Sequence, residues 1–112
     1  MKFGVIGYGS VGKRHINNLK KLGINDIILL RERSYGNEDG FEECKSIRTF
    51  INKKPDAVIV SNPTSMHFKY LISLINENIN LLVEKPIVSS EEQLKSIQKQ
   101  IPSYSGIGMT AY

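Results

Sequence analysis

Short apolar runs alternate with amphipathic stretches along the whole chain, beginning with Phe3-Gly4-Val5-Ile6. Continuous apolar runs of this length are typical of strands that are covered on both faces of a sheet. The pattern predicts strands at about residues 2–7, 26–30, 57–60, 80–83 and 106–110. An order in which strands alternate with helices indicates an α/β fold with a parallel sheet.

The amphipathic stretches predict helices between these strands, since their apolar residues recur three and four positions apart. We expect helices at residues 10 or 11 to 22, at 47–52, at 66–77, and after an N-cap at Ser89 or Ser90. Residues 31–43 lack a clear period and are expected to form a loop. In the first helix Val11, His15, Leu19 and Leu22 recur at this spacing, and in the last we expect a buried stripe of Leu94, Ile97 and Ile101.

Composition narrows the class of protein without identifying it. The chain has 112 residues, 40% of them apolar, and a net charge of +4, which suits one soluble domain and an anionic ligand. The basic residues are scattered, so we expect no nucleic-acid partner. No apolar run is long enough to span a membrane. The one cysteine, Cys44, cannot form an internal disulfide, which fits a reducing cytoplasm and a place in the core.

The stretch Gly7-Tyr8-Gly9-Ser10-Val11-Gly12 lies between the first predicted strand and the first predicted helix. In that setting G-x-G-x-x-G indicates a dinucleotide site. The first glycine permits a sharp turn, the second lets a diphosphate approach the backbone, and the third lets the helix pack close to the sheet. The alternative is a glycine-rich turn that holds no ligand. We therefore predict a Rossmann-like, doubly wound parallel sheet in three α/β/α layers, with about five strands and one domain over residues 1–112.

Polar residues follow the other predicted strands at their carboxyl ends, which is where open parallel sheets bind ligands. They are Arg31, Glu32 and Arg33 after the second strand, Ser61, Asn62, Pro63, Thr64 and His67 after the third, Glu84 and Lys85 after the fourth, and Thr110 and Tyr112 after the last. We expect all of these clusters except the last to contribute to cofactor binding.

The residues after the second strand bear on the choice of cofactor. Glu32 is at about the spacing of the carboxylate that binds the adenosine ribose of NAD. Arg31 and Arg33 flank it, and an arginine there can pair with the 2′-phosphate of NADP. We favour NADP over NAD by a narrow margin. The alternative is a surface charge cluster that contacts no ligand.

Lys85 is our first candidate for a catalytic residue, because an ammonium between Glu84 and Pro86 could orient a substrate hydroxyl or move a proton. His67, the second candidate, could hydrogen-bond near a nicotinamide or simply cap a turn. We interpret His15 as structural. No set of residues has the spacing of a metal site, and none resembles a hydrolase triad.

These motifs together resemble the N-terminal half of the Gfo/Idh/MocA oxidoreductase family. The resemblance rests on residues 7–15, on Asp56-Ala57-Val58-Ile59-Val60 with Asn62-Pro63-Thr64-Ser65-Met66-His67, and on Glu84-Lys85-Pro86. It implies a Rossmann domain that carries NAD or NADP. It also implies hydride transfer to or from a hydroxyl-bearing carbon of a sugar, polyol or sugar nucleotide.

The resemblance also suggests roles for single residues. Lys85 would be the E-K-P lysine that contacts substrate and cofactor, and His67 would lie near the nicotinamide. Residues 61–64 would line the path of the adenosine and ribose. The family's second α/β domain, which supplies most substrate contacts and commonly the acid/base histidine, is absent. We therefore expect a monomeric fragment of a larger homo-oligomeric enzyme, with weak dinucleotide binding and little turnover of its own.

Two other functions fit part of the same pattern. A non-catalytic module that senses NAD(P) for a partner protein would need the glycine motif but not the E-K-P lysine. A methyl-donor site can also use a similar glycine loop. Binding of nicotinamide dinucleotides and of S-adenosylmethionine would separate the last possibility from the others.

Overall fold

The structure of this chain is a computed structural model, which describes residues 1–32, 36–37, 39–62, 66–85 and 88–110. Strands and helices alternate along it, as the hydrophobic pattern predicts. In chain order they are β1 (Phe3–Ile6), α1 (Ser10–Lys21), β2 (Ile27–Leu30), β3 (Glu42–Cys44), α2 (Ile47–Asn52), β4 (Ala57–Val60), α3 (His67–Asn76), β5 (Asn80–Val83), α4 (Glu91–Gln100), a 3₁₀ turn (Ile101–Ser103) and β6 (Gly108–Thr110).

The strands form a single parallel sheet in the order β3-β2-β1-β4-β5-β6. The chain begins at the centre with β1, builds outward through β2 and β3, and then returns to add β4, β5 and β6 on the other side. This is the order of the dinucleotide-binding fold, and it confirms the predicted doubly wound sheet. The direction of winding reverses between β1 and β4, and open sheets of this kind bind ligands at that reversal.

Each face of the sheet buries its own apolar cluster, because successive side chains of a strand point to opposite faces. The larger cluster joins Ile6, Val58 and Val60 of the sheet to α2, α3 and α4. The smaller one joins Val5 and Ile59 to α1. Within the described ranges, α1 is thus the only helix that packs into the second cluster.

Two expectations are wrong. Residues 42–44 form the edge strand β3 where we expected only a loop, so the sheet has six strands. In α4 only Ile97 is buried, since Leu94 is 40% exposed and Ile101 is 52% exposed. In α1 the buried residues are Gly12, Ile16 and Leu19, whereas Leu22 is 76% exposed. Both helices therefore bury fewer apolar residues than the spacing in their sequences suggests.

The predicted N-cap of α4 is present at Ser90. The Ser90 hydroxyl accepts a hydrogen bond from the Gln93 amide at 3.2 Å. The Gln93 side chain accepts from the amide of Ser89 and not from that of Ser90, so only half of a capping box forms. None of the helices in the described ranges has the length and apolar character that a bilayer crossing requires.

Candidate functional site

The carboxyl ends of four strands lie at the same level of the sheet. Ile6 pairs with Leu30 on one side and with Val60 on the other, and Val60 pairs with Val83. The residues that follow these strands therefore emerge side by side at one edge. They include the predicted site residues Gly7, Arg31, Ser61 and Glu84.

Two adjoining grooves open at this edge, and both are lined by Gly7, Tyr8, Gly9 and Asn62. The larger, of about 560 Å³, extends toward β2 and α3. The smaller, of about 460 Å³, extends toward β5. The larger groove adds Arg31, Glu32, Met66 and Tyr70 to the shared lining, and the smaller adds Ser10, Val11, Ser61, His67, Glu84 and Lys85. Arg33, Pro63 and Thr64, which we also predicted to bind the cofactor, lie outside the described residues, as does Tyr112.

The glycine loop has the geometry that a dinucleotide motif requires. Gly7 has a φ of +97°, and a Cβ there would lie 2.8 Å from the backbone nitrogen of Asn62. A Cβ at Gly12 would lie 2.3 Å from the carbonyl oxygen of Gly7. A Cβ at Gly9, by contrast, would have no atom within 4 Å, because that position faces the open groove. Two of the glycines thus shape the loop, and the middle one leaves room for a ligand.

The first turn of α1 faces this open space. Gly9 is the N-cap residue, and in the described part of the chain no side chain caps the helix and no acidic residue lies in its first turn. The first hydrogen bond of the helix runs from the Lys13 amide to the Gly9 carbonyl at 2.9 Å. The preceding amides are therefore available to an anion, which the helix dipole also attracts. This cradle fits a diphosphate.

Ser61 and Asn62 follow β4 but differ in what they contribute. The Ser61 hydroxyl donates to the Ile6 carbonyl at 2.9 Å, so it fixes the glycine loop to β4. The side-chain oxygen of Asn62 is buried and has no hydrogen-bond partner within the described residues. Buried polar atoms are nearly always paired in native proteins. An orphaned acceptor on both grooves is therefore suited to a ligand that donates a hydrogen bond.

The end of the larger groove carries two of the three charged residues that the sequence predicted there, Arg31 and Glu32. Arg31 donates to the Gly36 carbonyl at 2.7 Å and lies 3.4 Å from a carboxylate oxygen of Glu43. Glu32 accepts two hydrogen bonds from Lys69, at 3.0 and 3.2 Å. Burial, and then a hydrogen bond to Glu32, raise the pKa of the neighbouring Tyr70 hydroxyl.

Tyr8 links the glycine loop to the segment before β3, which the sequence did not indicate. Its hydroxyl donates to Asp39 at 2.6 Å, and Lys20 donates to the other oxygen of the same carboxylate at 2.6 Å. Hydrogen bonds from Lys20 and then from Tyr8 hold the pKa of Asp39 below its ordinary value. The Arg31 guanidinium lies 4.9 Å from the centre of the Tyr8 ring. Tyr8 thereby forms one wall of the larger groove.

His67 is almost completely buried, with 1% of its surface exposed. Its Nε2 lies 2.6 Å from the Asn62 carbonyl oxygen and so closes the turn between β4 and α3. This geometry favours the second of the two roles that we considered, which is capping of the turn. A catalytic role for His67 stays a prediction.

Lys85 is exposed at the rim of the smaller groove, beside Glu84. The Glu84 carboxylate contacts Nε2 of His15, which reaches it from α1. Sequence reasoning placed Glu84 at the site but missed this partner, because the two residues are 69 positions apart. The signal that could have indicated it is the spacing of His15 from Val11, which puts both on one face of α1.

No group of three or more potential metal ligands occurs in the described ranges.

The sequence model of the Gfo/Idh/MocA family, which is described as an oxidoreductase family with an NAD-binding Rossmann fold, matches residues 1–112. The chain belongs to the Gfo/Idh/MocA family. Among curated members of the family, the scyllo-inositol 2-dehydrogenase (NAD(+)) of Bacillus subtilis is 28% identical over 106 residues. The alignment covers 87% of this chain and 31% of that protein, so the chain spans about a third of its length.

Solved structures of the family share the fold. The myo-inositol 2-dehydrogenase of Lactobacillus plantarum superposes with a TM-score of 0.85 at 24% identity, covering 99% of this chain and 36% of that one. A scyllo-inositol dehydrogenase of Lactobacillus casei, solved with NAD(H) and scyllo-inositol, gives 0.82 at 22% identity, covering 99% and 36%. The family assignment makes the chain an oxidoreductase NAD-binding domain. None of these relatives supports our preference for NADP.

Proposed function

We propose that this chain binds a nicotinamide dinucleotide as the coenzyme half of a dehydrogenase that acts on a hydroxyl of a sugar, polyol or sugar nucleotide. The main support for this proposal is the open space at Gly9, which lies against the uncapped first turn of α1. The smaller groove continues from there to Lys85.

The chain's own residues divide the work along the two grooves. The amides of the first turn of α1 bind the diphosphate, and the buried oxygen of Asn62 accepts a hydrogen bond from the ligand. When bound, the nicotinamide ring supplies the hydride acceptor or donor. The Lys85 ammonium, at the rim of the smaller groove, orients the substrate oxygen and moves a proton at that atom.

The substrate class rests on the relatives and not on residues of this chain. The three similar proteins described above are all named as inositol dehydrogenases, and inositols are cyclic polyols. We infer that a second domain supplies most substrate contacts and the acid/base histidine, and that the 112-residue chain alone turns over little substrate. We further infer that the chain alone is monomeric and that the two-domain enzyme is a homo-oligomer.

We propose NAD as the coenzyme, although the sequence led us to favour NADP. Arg31 already binds the Gly36 carbonyl and lies against the Tyr8 ring. Glu32 lines the larger groove. Its carboxylate accepts from Lys69 but has further lone pairs, so it can also accept hydrogen bonds from ribose hydroxyls. This balance between Arg31 and Glu32 supports NAD.

Calorimetric titration of the chain with NADH, NADPH and S-adenosylmethionine tests the proposal. We expect heat of binding with NADH, a weaker response with NADPH, and none with S-adenosylmethionine. A response to S-adenosylmethionine alone, or to none of the three, would refute the dinucleotide site.

Lys85→Ala separates an enzyme from a module that only senses the coenzyme. In a two-domain enzyme that carries this chain, we expect the substitution to leave coenzyme affinity nearly unchanged and to reduce turnover sharply. Lys95→Ala, which removes an exposed lysine of α4 away from both grooves, is the matched control. Unchanged turnover in the Lys85 variant would favour the sensing module.

A further inference from the structure

His15 of α1 and Glu84 after β5 form a contact that none of the roles above uses. Nε2 of His15 meets a carboxylate oxygen of Glu84. Both side chains are partly buried, with 15% and 21% of their surfaces exposed. A pair that is shielded to this extent holds its geometry better than an exposed ion pair, whose net contribution is small.

The pair connects the two parts of the site that a coenzyme would have to span. Val11, one turn before His15 on the same face of α1, lines the smaller groove at the phosphate end. Glu84 precedes Lys85, and its amide donates to the Val60 carbonyl at 3.0 Å, so its backbone still belongs to the sheet. Glu84, directly before Lys85, is thus held to the sheet through its backbone and to α1 through its side chain.

The faces of β5 explain why Glu84 can meet α1. Leu82 packs into the smaller apolar cluster with α1, whereas Leu81 and Val83 pack into the larger one. Since alternate residues of a strand share a face, Glu84 continues on the side of Leu82. The carboxylate is thus directed to α1 and to the ring of His15.

We propose that His15 is a positioning residue: by holding Glu84, it ties the phosphate-binding helix to the end of β5 and fixes where Lys85 stands relative to the glycine loop. The inference rests on the proposed function, because Lys85 needs a fixed place only if a coenzyme is bound beside it. His15 itself contacts neither coenzyme nor substrate in this role.

Amide resonances of Gly9 and Lys85 report on the two ends of the site separately. In the wild-type chain we expect NAD+ to shift both. In His15→Ala we expect the Gly9 shift to persist and the Lys85 shift to fall by at least about half. Without coenzyme, exchange of the Lys85 amide with solvent should accelerate about fivefold, the factor that corresponds to one lost hydrogen bond. His15→Gln, which retains a side-chain N–H donor, should restore both values.

Two further variants keep the test decisive. Glu84→Ala breaks the same contact from the other side and should reproduce the Lys85 effects, even if His15→Ala does not fold. Asn17→Ala, at an exposed position of α1, should change neither signal. Unaltered Lys85 signals in both contact-breaking variants would overturn the proposal, as would equal loss of the Gly9 and Lys85 shifts. If NAD+ shifts neither resonance in the wild-type chain, the coenzyme site fails, whereas the exchange rates still measure the tether itself.

Discussion

Adding one methyl group at Gly9 should separate coenzyme binding from folding. A Cβ at this residue has no atom within 4 Å, and its backbone angles, φ −81° and ψ −166°, suit any L-residue. The remaining cost is the poorer N-cap preference of alanine, which we put below ~1 kcal/mol. For a domain of this size that lowers Tm by less than about 5 °C. The new methyl lies where the diphosphate must approach, so losing one charge-assisted hydrogen bond, ~1.5–3 kcal/mol, predicts at least a tenfold weaker affinity for NAD+.

Gly12→Ala adds the same methyl group, but here we expect it to lower stability. Its Cβ would lie 2.3 Å from the Gly7 carbonyl oxygen, and a backbone atom cannot move aside cheaply. Overpacking costs up to ~3 kcal/mol or more, against a gain of ~1 kcal/mol in helix propensity. We therefore expect a loss of about 2 kcal/mol, or roughly 10 °C in Tm.

Calorimetric titration with NAD+ and thermal unfolding by circular dichroism measure the two quantities. Gly108→Ala, on the edge strand β6, is the control. A Cβ at Gly108 would make an ordinary contact of 3.7 Å with Tyr104. Wild-type affinity for NAD+ in Gly9→Ala would refute the cradle. Equal Tm losses in the Gly9 and Gly12 variants would contradict the difference in free space that the structure shows around these two residues.

Three other measurements test further parts of the structure. Glu32→Gln should raise the affinity for NADP+ relative to NAD+ by at least about fivefold, because it removes the repulsion between the Glu32 carboxylate and the 2′-phosphate. Two like unit charges 4 Å apart repel by ~1 kcal/mol even in bulk water. An unchanged affinity ratio in calorimetry would exclude Glu32 from coenzyme selection. A hydrogen bond from Asn37, and then one from Lys45, lower the pKa of Glu43 from its ordinary value of 4.5. The ionised Glu43 therefore stabilises the fold above pH 4.5, and this stabilisation is lost as the pH falls through the lowered pKa. Urea midpoints of Glu43→Gln should accordingly lie below wild type at pH 7 and converge with it on acidification, whereas a constant gap would contradict the shift. Burial raises the pKa of the Cys44 thiol, so it should react with a thiol reagent only as urea opens the chain, and rapid native labelling would place it at the surface.

The site could be located from the sequence because its main signals are local. The glycine motif shapes its own loop, with Gly7 at positive φ and Gly12 packed beneath it. The parallel strands then bring their carboxyl ends to one edge, so residues such as Asn62 and Lys85 needed only a correct strand assignment. Those strands, at residues 57–60 and 80–83, have the bounds that the apolar runs predict.

What the sequence did not reveal depends on contacts between distant segments. Strand β3 carries two glutamates and one buried residue, Cys44, so its three residues show no apolar run. It pairs because β2 offers an unpaired edge. The contact of Tyr8 with Asp39 likewise has no periodic signal. The spacing of His15 from Val11 indicates which face of α1 carries His15, but it does not identify Glu84 as the partner.

Helix α1 is the only described helix on its side of the sheet, and it buries just Ile16 and Leu19 as large apolar residues there. Segments with little buried apolar contact open at lower free energy than the rest of a domain. A ligand seated on the first turn would oppose that opening by mass action. Limited proteolysis within α1 should accordingly slow when NAD+ is added, and equal cleavage rates would contradict this. The coenzyme would then act as a clamp on the domain, and a cell depleted of it would degrade this protein faster.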